Sequence, residues 1–173
     1  GLQRELFDTA WRLATVYNFP DELRLTERQI KQYNEILMDC DEVRKYERLN
    51  AIKDDFIAYP PFWYHMGSVA NGISKNESLS LETRMQYRCD ALSAFNRYWE
   101  SNEFPLLRED YLASSCALEH IEVLNVELDF EKINELLHKA EKYSGRSNDI
   151  LQICAIDYLK IGQKEKAIKL LRV

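Results

Sequence analysis

Apolar residues recur every three or four positions through most of the chain, the spacing that gathers them on one face of a helix. Leu2, Leu6, Trp11, Leu13, Ala14 and Tyr17 form such a stripe over residues 2–17. Asn18, Phe19, Pro20 and Asp21 break it, because Pro20 lacks a donor and restricts Phe19. Thr26 then reads as an N-cap, with Gln29 three residues on completing a capping box. The next stripe is Ile30, Tyr33, Leu37, Cys40, Val43, Tyr46, Leu49, Ile52 and Phe56. Its mean spacing is nearer three than 3.6, so it drifts around an ideal helix. One long helix, or two nearly collinear ones breaking near Asp39, Cys40 and Asp41, accounts for it. A coiled coil is the rival, but the repeat it needs is not sustained.

Further on, Pro61 suits the first turn of a helix reaching about Ile73. A polar connection through Asn76 leads to Ser80, which caps a helix over 81–101 that ends before Pro105. Others are predicted from about Glu109 to Glu127, from Asp129 to Tyr143, from Asn148 to Ile161, and from Lys164 onward. Gly145 and Gly162 read as helix stops. Alternating strand patterns do not appear. With only 5 Gly and 4 Pro in 173 residues, a sandwich or barrel lacks its turn residues.

The helix-hairpin pattern recurs at a 34-residue offset: Ala117 precedes Leu151, Leu124 precedes Tyr158, Leu128 precedes Gly162, Ile133 precedes Ala167, and Leu137 precedes Leu171. Over 149–173, Leu151, Ala155, Tyr158, Gly162, Ala167 and Leu171 stand at spacings that let two antiparallel helices approach at the alanines and turn at the glycine. This constellation resembles the tetratricopeptide repeat family. One period earlier, Ala117, Ile121, Leu124, Ile133, Leu137 and Ala140 occupy corresponding places, with Leu128 replacing the turn glycine. A third copy starts at Trp63 and Gly67, continues with Ala91 and Phe95, and carries a lengthened hairpin around 71–81. The chain therefore divides into an N-terminal helical segment, 1–59, and a repeat region, 60–173. The expected fold is all-α, with stacked antiparallel helix hairpins.

The resemblance implies a scaffold or adaptor that receives a partner's peptide or helix on the inner helix of each repeat. It maps the groove onto Tyr64, Ser68 and Asn71, then Leu118, Glu122 and Asn125, then Asp149, Gln152, Ile156 and Leu159. Family members that clamp a terminal carboxylate use Lys and Asn there. The mixed residues here do not support that role.

Composition and charge narrow the alternatives. Hydrophobic residues make up 46%, enough for a real core. A net charge of −6 argues against a general nucleic-acid or anionic-membrane surface. No run of 18 apolar residues exists, so membrane insertion is not expected. Cys40, Cys89, Cys116 and Cys154 lie at least 27 residues apart, without CxxC or CxxH spacing. They read as buried free thiols of a reducing cytoplasm. Glu135 and His138 have the ExxH spacing of di-iron bundles, but no second copy accompanies them. His120 reads as a packed, hydrogen-bonded histidine, and His65 lies beside Phe62, Trp63 and Tyr64. Nucleotide-binding loops and nucleophile elbows are lacking, so neither enzyme activity nor a cofactor is expected. Lys160, Lys164, Lys166, Lys169 and Arg172 make a local basic face. The final helix stops at Val173 with Ile168, Leu170 and Leu171 just before it and no capping helix. That raises two expectations: a homodimer through this helix, or a regulatory or oligomerisation domain of a larger enzyme such as a nucleotide hydrolase.

Overall fold

A computed structural model of the chain describes residues 9, 12, 25–101 and 111–171. Apart from Thr9 and Arg12, both helical, the stripe over 2–17 and the break at 18–21 lie outside the described residues. So do Pro105, Arg172 and Val173. Among the described residues there are eight α-helices and no strand.

Helix α1 is Glu27–Leu37 and α2 is Glu42–Ile52, followed by a 3-10 turn, Lys53–Phe56. The capping box forms: the Gln29 backbone N–H donates to Thr26 Oγ1 at 3.3 Å, and the Thr26 N–H donates to Gln29 Oε1 at 2.8 Å. The stripe breaks at residues 38–41 because Asp41 caps a new helix, accepting from the Arg44 N–H at 3.0 Å. Asp39 holds that break, with its carboxylate gripping Arg44 at 2.6 Å and Arg48 at 3.1 Å.

Helix α3, Pro60–Ser74, and α4, Leu81–Ser101, form the most intimate hairpin. The prolines lie in the first turn of α3. Ser80 caps α4 as expected, accepting from the Thr83 N–H at 3.1 Å. Gly67 lets the two helices meet: a Cβ there would stand 2.6 Å from the buried Phe95 ring. Two arginines one turn apart on α4 close neighbouring helix ends. Arg84 donates to the Ser74 carbonyl at 3.0 Å, and Arg88 donates to the Val123 and Leu124 carbonyls at 2.9 and 3.0 Å.

Helices α5, Tyr111–Val123, and α6, Phe130–Lys142, form a second hairpin; α7, Asn148–Lys160, and α8, Lys164–Leu170, form a third. Gly162 adopts φ +79°, the left-handed stop that the sequence predicts. The α5–α6 turn is built differently. Leu128 is 82% exposed, and the Asp129 carboxylate reaches backward to accept from the Asn125 N–H at 2.8 Å rather than capping α6. Ser147, not Asn148, occupies the N-cap of α7.

Two apolar clusters form the core. The first joins residues from 25–59 with α3, α4 and part of α5. Its centre is aromatic: Phe56 stacks on Phe62 at 4.7 Å, and Tyr33 packs on both. The second joins α5 to α8 and buries Ala117, Ile133, Leu137, Ala140, Ala155, Tyr158 and Ala167. Trp99 packs against both clusters. Two expectations, one from the repeat pattern and one from the cysteines, need correction. Leu171 is 60% exposed and fills nothing, because α8 presents Ala167 inward instead. Cys40 and Cys89 are exposed, Cys40 in the α1–α2 turn and Cys89 on the outer face of α4. Only Cys116 and Cys154 are buried thiols.

Candidate functional site

Helix α3 packs on α5 as well as on α4. This places α3, α5 and α7 along one groove of about 660 Å³, within the ~300–1,000 Å³ of ligand clefts. From α5 it takes Ser115, Leu118, Glu119 and Glu122, and from α7 Ile153, Ile156, Asp157 and Lys160. Each set has the i, i+3, i+4, i+7 spacing of one helical face. Glu119 and Ile153 stand 34 residues apart, as do Glu122 and Ile156. A carboxylate face on α5 thus lies beside an isoleucine face on α7, at a 34-residue offset. Ile121 and Ile133 form a buried floor, whereas Val126, Ile153 and Ile156 are 45%, 45% and 54% exposed.

A polar seam fixes α3 against α5. The Tyr64 hydroxyl donates to Glu119 Oε1 at 2.9 Å. The Asn71 amide and the Lys75 ammonium both donate to Glu122 Oε2 at 2.7 Å. Burial first, then the Glu119 charge, holds the Tyr64 hydroxyl above its ordinary pKa, so it remains a donor. On α7, Lys160 pairs with Asp157 at 2.6 Å.

Of the residues that the repeat resemblance places in a groove, Tyr64, Leu118, Glu122 and Ile156 line it. Ser68, Asn125, Asp149, Gln152 and Leu159 are not among its lining residues. Asn71 is buried at 3% exposure, because its amide is spent on Glu122. Sequence reasoning missed Glu119, Ile153, Asp157 and Lys160. For Glu119 and Ile153 the available signal is the 34-residue offset that relates them.

Both histidines beside this region are held by aromatic neighbours. The Trp99 indole N–H donates to His120 Nδ1 at 3.2 Å, and Phe95 stacks on the ring. Indole is only a donor, so neutral His120 carries its proton on Nε2. His65 Nδ1 is hydrogen-bonded to the Tyr33 hydroxyl. Burial pushes both imidazoles down to about 4; at His120 the Lys132 and Lys139 charges add to it. The ExxH carboxylate, Glu135, is engaged by Lys139 at 2.7 Å and Lys132 at 3.2 Å. Among the described residues no group of three His, Cys, Asp or Glu is placed to hold a metal ion, and no helix is long and apolar enough to cross a membrane. The basic face is partly spent: Lys166 donates to Asn134 at 3.0 Å and lies over the Tyr158 ring at 5.2 Å.

Compared with family models, with curated proteins and with solved structures, the chain matches none.

Proposed function

We propose that this protein is an interaction scaffold of tetratricopeptide-like architecture, cytoplasmic and non-catalytic, whose α3–α5–α7 groove receives a helix or peptide of another protein. One observation carries the reading: the groove exposes Val126, Ile153 and Ile156 beside a closed apolar floor. Apolar side chains grouped in a cleft and rimmed by polar residues mark an interaction surface. Three sequential hairpins support the architecture, together with the buried alanines Ala155 and Ala167 and the left-handed Gly162.

The test is a selection of helical peptides from a random display library against the full chain. Selected peptides are expected to lose binding to Ile156→Asp and to keep it with Met85→Asp, on the outer face of α4. Peptides that ignore Ile156→Asp refute the groove.

A second reading, docking within a larger multidomain enzyme, draws on a different face. Leu159, Ile168 and Leu171 of the last hairpin are 47%, 47% and 60% exposed. It predicts that Ile168→Glu, and not Ile156→Asp, disrupts association.

A further inference from the structure

The groove's charges favour one kind of occupant. Three carboxylates, Glu119, Glu122 and Asp157, line it against one ammonium, Lys160. Glu122 is answered by Lys75 and Asp157 by Lys160. Glu119 is held by the neutral Tyr64 hydroxyl. That bond orients the carboxylate without cancelling its charge. It lies on the face of α5 that looks across to Ile153 and Ile156 on α7. A charge-assisted bond to such a carboxylate is stronger than a neutral one, and the apolar wall beside it lowers the local screening.

We propose that the occupant is a basic amphipathic helix of a partner protein, with its aliphatic face on Val126, Ile153 and Ile156 and a lysine or arginine at Glu119. The inference rests on the groove being a docking site and adds the partner's charge. An aliphatic helix without cations would leave Glu119 beside apolar surface with no ionic partner. An acidic helix would meet three carboxylates. A second copy of this chain, which carries a net charge of −6 overall, fits less well than a cationic segment.

The experiment uses the full chain and three amidated peptides of about 18 residues, long enough to be helical. They share one Leu/Ala face and carry Lys, Gln or Glu on the polar face. The Lys peptide is expected to bind tightest, about fivefold above the Gln peptide, the factor that one partly exposed ion pair supplies. That margin should shrink as salt rises from about 50 to about 300 mM. Glu119→Gln should erase the margin, whereas Glu82→Gln, an exposed carboxylate on α4, should leave it intact. Ile156→Asp should abolish binding of all three peptides. Equal binding of the three peptides, or equal loss in Glu119→Gln and Glu82→Gln, overturns the charge assignment while the docking site stands. Binding of none, or binding that survives Ile156→Asp, overturns the docking site as well. Sedimentation showing a dimer that Ile156→Asp dissolves would make a second copy the occupant and refute the proposal.

Discussion

Two glycines of α3 should respond in opposite directions to the same substitution. Gly67 and Gly72 both lie inside Pro60–Ser74, where alanine is favoured over glycine by about 1 kcal/mol. At Gly72 the added Cβ meets only the Glu42 carboxylate, at 3.4 Å, an ordinary contact that a flexible side chain accommodates. Gly72→Ala should therefore stabilise the protein by about 0.5–1 kcal/mol. At Gly67 the Cβ falls 2.6 and 2.7 Å from two carbons of the Phe95 ring. That ring cannot yield, being fully buried and stacked on His120 with centroids 5.6 Å apart. Overpacking costs roughly 1–3 kcal/mol, and a contact this short against a buried ring falls in the upper half of that range, so after the propensity gain of about 1 kcal/mol Gly67→Ala should be destabilising by about 1–2 kcal/mol. Urea denaturation gives both numbers. A double-mutant cycle with Phe95→Leu locates the clash, since the pair should couple by about 1 kcal/mol or more. A Gly67→Ala protein as stable as the parent, or additivity with Phe95→Leu, would refute the packing described for α3 and α4.

Other expectations follow from single groups. The His120 value falls from the ordinary 6.5 to about 4, so the unfolded chain takes up the proton first as pH drops. The His120 contribution to stability should fall by roughly 3 kcal/mol between pH 6.5 and about 4 and not change further below that. His65 acts with the same sign, and urea midpoints that do not change across that window would contradict both burials. Gly162→Ala, with φ +79° and open space around the Cβ, should cost about 1 kcal/mol from backbone strain alone, measurable as a lower thermal midpoint. Ile156→Asp should leave the unfolding free energy within about 0.5 kcal/mol of the parent, because the side chain is 54% exposed.

Much of the fold was legible where local chemistry decides it. The Thr26–Gln29 box, the Ser80 cap and the Gly162 stop each act through neighbours three or four residues away, and each stands where the sequence puts it. The break at residues 38–41 was visible as a drift in spacing, and the Asp39 and Asp41 side chains settle it as two helices. Long-range features were not legible. The contact of Tyr33 and Phe56 with Phe62 depends on chain return, which no periodicity encodes. The phase of α7 was lost for another reason: Ile150, Leu151, Ile153, Cys154, Ala155, Ile156, Tyr158 and Leu159 surround the helix with apolar residues. A helix apolar on every side has no face to read. The repeat resemblance, which alone supplied a phase, puts the groove on Asp149, Gln152, Ile156 and Leu159, whereas the cleft is lined by Ile153, Ile156, Asp157 and Lys160.

The most direct test of the docking face is a titration of isoleucine methyl resonances with a selected helical peptide. Methyl signals of Ile153 and Ile156 should shift and broaden together, with Ile52 on α2 and Ile168 on α8 unchanged. Shifts confined to Ile168, or equal small shifts throughout, would contradict a docking face formed by α3, α5 and α7.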